Sequence, residues 1–135
     1  MKKIKLESAP IIYKNHGQQA ELVFRFTLTG KIEKADKRKA TETTDCCGYS
    51  IKSARATIGR GATVEEALKH DSAERFAYVV KDFSVAYLMS REEYKAFCYD
   101  FSTLTTESPK NGKAYKRRFR YETAEMISVL ENCSK

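Results

Sequence analysis

Residues 76–89 read FAYVVKDFSVAYLM, two runs of β-branched and aromatic residues hinged on Lys81-Asp82. Runs of this kind read as strands, and a short polar hinge between them predicts a hairpin, although Lys-Asp is not an ideal turn dipeptide. Helix starts bracket the pair. Thr63-Val64-Glu65-Glu66 and Ser90-Arg91-Glu92-Glu93 each place a Glu three residues after a hydroxyl, the capping-box pattern in which the hydroxyl takes one orphan N–H and the Glu reaches back to another. The first helix is short, ending between His70 and Ala73. The second carries Tyr94, Phe97, Cys98 and Phe101 at spacings of three, four and seven, one aromatic face suited to core packing.

The remaining segments extend this alternation. Residues 3–14 and 20–30 read as a first hairpin, with Leu22, Phe24, Phe26 and Leu28 on one strand face and Asn15-His16-Gly17 at the turn. Residues 51–58 read as a strand. Thr103 to Thr106 is a β-branched run, and Asn111-Gly112, tolerant of positive φ at both positions, folds residues 114–121 back onto it. A last helix over 122–132 turns Met126, Val129, Leu130 and Cys133 inward. The order β-β-β-α-β-β-α-β-β-α predicts an α+β fold, a mostly antiparallel sheet built from hairpins with about three helices packed on it. The 135 residues fit one domain, 1–135. Residues 31–48, polar and mixed in charge, read as a solvated and mobile insertion, or as a short helix presenting Lys34, Lys37, Arg38 and Lys39.

Charge is the main functional signal. The net charge is +7, and residues 110–121 hold Lys110, Lys113, Lys116, Arg117, Arg118 and Arg120 with no acid, six of the seven excess charges. Concentration on one segment marks an electrostatic footprint for an anionic partner. On a strand, Lys116, Arg118 and Arg120 face one way, and Tyr115, Arg117, Phe119 and Tyr121 the other. The cation row suits phosphates, and Tyr115 or Tyr121 can stack a base, while Phe119 belongs to the core. The competing reading is an edge strand guarded by Lys and Arg against pairing with another chain.

Other motifs carry less. Gly59-Arg60-Gly61 stands between a strand and a capped helix, where backbone N–H groups can hold a phosphate, but its spacing matches no phosphate-loop pattern, and a tight turn explains it. Cys46, Cys47, Cys98 and Cys133 form neither a Cys-x-x-Cys pair nor a disulfide framework, and with His16 and His70 they fit no metal spacing. Free thiols account for them. His70-Asp71 lies at a helix end, and Glu65-Glu66 and Glu92-Glu93 have capping roles, so no nucleophile–base set emerges and no cofactor is implied. The amino-terminal Met1-Lys2-Lys3-Ile4-Lys5 looks like the start of a signal peptide, but Leu6-Glu7-Ser8 interrupts it, which points to the cytoplasm.

The expected function is therefore a non-enzymatic binding protein contacting nucleic acid or a nucleoprotein through residues 110–121. In size, composition and lack of catalytic motifs the chain resembles, in general character only, small Lys-rich proteins of phages and other mobile elements. That resemblance implies an alternative, a protein inhibitor of a host defence nuclease of the anti-CRISPR type, docking on an acidic protein surface or guide nucleoprotein. No membrane partner is expected, since no run of apolar residues is long enough to span a bilayer.

Overall fold

The computed structural model describes residues 1–33, 45–107, 114–119 and 122–135. Among them are seven strands and four helices, an α+β fold of two mostly antiparallel sheets. The expected hairpin is there. Strand β4 (Arg75–Val79) pairs antiparallel with β5 (Val85–Ser90), Tyr78 opposite Tyr87. Strand β1 (Lys2–Lys5) pairs antiparallel with β5, and β2 (Ser50–Ser53) pairs parallel with β4, giving the order β1-β5-β4-β2.

Both faces of this sheet are buried, which explains the unbroken apolar runs in β4 and β5. Ala77, Val79 and Ala86 point to one face, where α1 (His16–Thr29) covers them with Ala20, Leu22, Val23 and Phe24. Phe76, Tyr78, Tyr87 and Met89 point to the other, where they meet Tyr94, Phe97 and Cys98 of α3 (Arg91–Phe101) and Met126 and Leu130 of α4 (Ala124–Cys133). Ser90 makes the full capping box with Glu93. Phe76 stacks on Tyr94, with ring centroids 3.9 Å apart.

Two hydroxyls fix α4 to the sheet. Tyr78 Oη donates to Glu122 at 2.8 Å, just ahead of the helix, and Tyr87 Oη donates to Glu131 near its end at 2.5 Å. Burial and the facing carboxylate both push each hydroxyl above the ordinary tyrosine range. Lys3, with Tyr87, holds the Glu131 carboxyl below its usual range.

Several expectations are corrected. Residues 16–29 form a helix, so the hairpin between 3–14 and 20–30 does not exist. Asn15 caps the helix by accepting from Gln18 N, and Gly30 ends it in the left-handed region at φ 72°. Ile11 and Ile12 lie in an exposed segment that Gln19 holds against α1. The buried Gln19 side chain accepts from Ile12 N and Tyr13 N and donates to Pro10 O. The expected strand over 51–58 is two strands in different sheets, broken at Arg55, which takes a positive φ of 67°. Cys133 is exposed. Most of the insertion at 31–48 lies outside the described residues, but at its end Cys46 is buried in the core beneath α1.

The second sheet has the order β3-β7-β6, from β3 (Thr57–Arg60), β7 (Ala114–Phe119) and β6 (Ser102–Glu107). The short helix α2 (Val64–Leu68) packs on β3. Thr63 caps it as expected, while Glu66 reaches Ala62 N. Among the described residues no helix is long and apolar enough to cross a membrane.

Candidate anion-binding face

Strand β7 is central in its sheet, with β3 on one side and β6 on the other, so it is not a guarded edge. Phe119 locks it to the body. Its ring is 4.8 Å from that of Phe97 and meets Tyr78 and Tyr94 edge-on at 6.0 and 6.1 Å. The alternation expected from the sequence follows from this anchor. Phe119 faces the core, Arg117 and Tyr115 share its side, and Lys116 and Arg118 lie on the opposite one.

Residues directly opposite in an antiparallel pair share a face, with Cβ atoms about 5 Å apart. Arg60 of β3 is opposite Lys116, and Thr57 is opposite Arg118. From β6, Thr105 and Thr103 flank the same two positions. The outer face therefore gathers Arg60, Lys116 and Arg118 among three threonines. Arg60 and Thr57 are exposed, and Lys116 and Arg118 are half-buried. Thr105 Oγ1 donates to Lys116 O at 3.0 Å. Thr103 Oγ1, in the row with Arg118, is buried and has no hydrogen-bond partner among the described residues. In register, Glu107 pairs with Ala114 at the far end of the sheet.

Arg117 has a different job. Its guanidinium donates through Nε and Nη2 to Ala62 O at 3.3 and 2.9 Å, and through Nη1 to Ser102 Oγ at 3.2 Å. It ties β7 to the loop before α2 and to the junction of α3 and β6. Tyr115, 43% exposed, lies on this side and not beside the outer cations. Of the other expected site residues, Lys110, Lys113, Arg120 and Tyr121 lie outside the described residues. Arg60, from the other sheet strand, joins the cluster only through β-pairing across 56 positions of sequence, a pairing with no local signal.

The glycines of Gly59-Arg60-Gly61 do not form a phosphate loop. A Cβ on Gly59 would stand 2.3 Å from Ala67 O, and one on Gly61 would stand 2.6 Å from Glu66 Cβ. Their absence of side chain lets α2 lie directly on β3. Ala62 N–H, the donor such a loop would offer, is already taken by Glu66 at 3.1 Å.

A cavity of about 290 Å³ opens beside the start of α1, lined by His16, Ala54, Arg55, Lys81 and Glu122. Its polar groups are largely engaged in structure. Glu122 accepts from Tyr78 Oη and Lys81 N. The His16 ring stacks on Phe83 at 4.5 Å and its Nε2 lies 2.9 Å from Lys81 O, so in the neutral ring the proton belongs on Nε2. Asp71 pairs with Lys52 at 3.2 Å and accepts from Ser50 and Ala73, a structural role for the acid next to His70. Burial pushes the Cys98 thiol up to about 12, which suits a packed thiol and not a nucleophile.

No protein-family model, curated protein or solved structure matches the chain.

Proposed function

We propose that this is a non-enzymatic binding protein whose three-stranded sheet contacts the phosphate backbone of nucleic acid through its outer face. The observation that supports this reading is the cross-strand pairing of like charges, Arg60 opposite Lys116, with Arg118 next along the same face. A phosphate laid along this row releases condensed counterions, and the exposed Thr57 hydroxyl can donate to its oxygens. Residues 110–121 supply six cations to one hairpin, so Lys110, Lys113 and Arg120 extend the same contact in sequence. A backbone contact of this kind is weakly selective for sequence and does not need Arg117, whose guanidinium is engaged with Ala62 O and Ser102 Oγ.

Fluorescence anisotropy with short random DNA and RNA, single- and double-stranded, tests the reading. Binding that weakens linearly in the logarithm of salt concentration, with a slope set by about three to six phosphate contacts, is the expected result. Arg60→Gln with Lys116→Gln lowers that slope by about two. Absence of binding at low salt, or an unchanged slope in the double variant, removes the proposal. The inhibitor reading then takes its place, with an acidic protein surface or nucleoprotein docking through a few Arg and Tyr positions.

A further inference from the structure

Cys46 and Cys47 take no part in the face described above, yet the fold brings their thiols together. Side chains of successive residues in extended chain point to opposite sides, so adjacent cysteines ordinarily keep their sulfurs apart. Here the chain turns between them. Cys46 N donates to Tyr49 O at 3.2 Å and Tyr49 N to Cys46 O at 2.8 Å. The two residues inside the turn are both left-handed, Cys47 at φ 55° and Gly48 at φ 84°. L-residues rarely take that conformation, and at Cys47 it leaves the two Sγ atoms 2.7 Å apart.

The turn is held from three directions. Arg25 of α1 donates to Asp45 O at 3.0 Å, Asp45 Oδ2 accepts from Ile51 N at 2.7 Å, and the Arg75 guanidinium lies 4.5 Å over the Tyr49 ring. Arg75 also fills the space that a side chain at Gly48 would need. The pair is asymmetric. Cys46 is buried against the core and Cys47 is exposed.

We propose that Cys46 and Cys47 form a thiol–disulfide exchange site for low-molecular-weight disulfides, closing reversibly to a vicinal disulfide. The exposed Cys47 thiolate attacks one sulfur of the incoming disulfide, forming a mixed disulfide and expelling one thiol. Cys46 then attacks the Cys47 sulfur, closing the ring and expelling the second thiol. Two protein thiols lose two electrons and two protons, and one small disulfide becomes two small thiols. The reverse sequence reopens the ring. Adjacent Cα atoms are about 3.8 Å apart, closer than the usual disulfide range of about 4.4–6.8 Å, so the bond is strained and belongs to the labile, exchanging class.

Burial, the neighbouring Cys47 thiol and Glu21 push Cys46 up to about 12, against the pull of the Arg25 guanidinium. Capping Cys47 as a mixed disulfide removes the second of these influences just when Cys46 must attack.

The test uses the full chain carrying Cys133→Ser, which removes the other exposed thiol, treated with dithiodipyridine. The expected product has released two thiopyridones, has lost two hydrogens in mass, carries no adduct, and is restored by dithiothreitol. With Cys46→Ser added, the adduct on Cys47 persists, at least about tenfold more abundant than in the parent, because the intramolecular attack is gone. With Cys47→Ser added instead, Cys46 stays unreacted behind the turn. A stable Cys47 adduct in the parent, a disulfide-linked dimer, or no reaction overturns the proposal. Reaction of Cys46 in the Cys47→Ser chain overturns the order of attack. If Cys46→Ser does not fold, the mass of the parent product decides alone.

Discussion

Arginine residues in this chain are divided between holding the fold and facing outward, and the division shows at the level of single guanidinium groups. Arg91, the first residue of α3, donates to Leu68 O, Asp71 O and Ala73 O at 3.0, 2.5 and 2.8 Å. It thereby ties the end of α2, at Leu68, and the segment that follows it to the start of α3. Arg117 performs a similar service for Ala62 and Ser102. Charged hydrogen bonds contribute about 1.5–3 kcal/mol each when buried, less when wet. Arg91→Ala is therefore expected to lower unfolding free energy by about 3 kcal/mol and Arg117→Ala by about 2 kcal/mol, whereas Arg60→Ala, on an exposed position, stays within about 0.5 kcal/mol. Urea midpoints of the three variants check this, and a cost at Arg60 equal to that at Arg117 refutes the division. Only part of it was legible beforehand. Strand period puts Arg117 on the Phe119 side, but its partners at Ala62 and Ser102 come from distant segments, and nothing in "KRRFR" marks one cation as engaged with backbone carbonyls.

At the scale of elements, the sequence was readable where capping residues and long apolar runs agree. The hairpin of β4 and β5, the capped starts of α2 and α3, the pairing of β6 with β7 and the final helix all appear. Helix α1 was not, because its apolar residues satisfy two periods at once. Leu22, Phe24, Phe26 and Leu28 alternate as in a strand, while Ala20, Val23 and Phe24 recur as on a helix face. Burial decides between them, with Ala20, Val23 and Phe24 inside and Leu28 45% exposed. The turn at Arg55 is hidden for another reason, since a positive φ at Arg has no residue signature. Glycine supplies the contrast that tests how α2 sits. Gly59→Ala forces a Cβ against the Ala67 carbonyl at 2.3 Å, backbone that cannot swing away, and should cost about 3 kcal/mol or more. Gly30→Ala meets open space and pays only for its left-handed backbone, about 1–2 kcal/mol. Equal urea midpoints for the two variants would show that α2 does not bear on β3 through Gly59.

For the molecule as a whole, the four-stranded sheet is the common wall of two apolar clusters, and groups that titrate at high pH are built into both. Tyr78, Tyr87, Tyr94 and Cys98 lie on the α3 and α4 side, and Cys46 lies on the α1 side. Burial is the leading cause that raises all five above their ordinary values, Cys46 and Cys98 to about 12. An acid whose folded-state pKa is raised keeps its proton longer in the native state than in the unfolded chain. Its contribution to stability is complete below the unfolded pKa, about 8.5 for Cys and 10 for Tyr, and is lost as pH rises through the folded value. The urea midpoint is therefore expected to hold steady up to pH of about 8 and to fall continuously above it. Tyrosine absorbance should show a buried group, Tyr78, Tyr87 and Tyr94, that ionises only with unfolding. Tyr94→Phe removes a buried hydroxyl with no role in fixing α4, so it should retain neutral stability and make the alkaline fall shallower. A midpoint unchanged to pH of about 11, or a Tyr94→Phe profile parallel to that of the parent, would mean that water reaches these hydroxyls and that the sheet is not sealed on its α3 and α4 face.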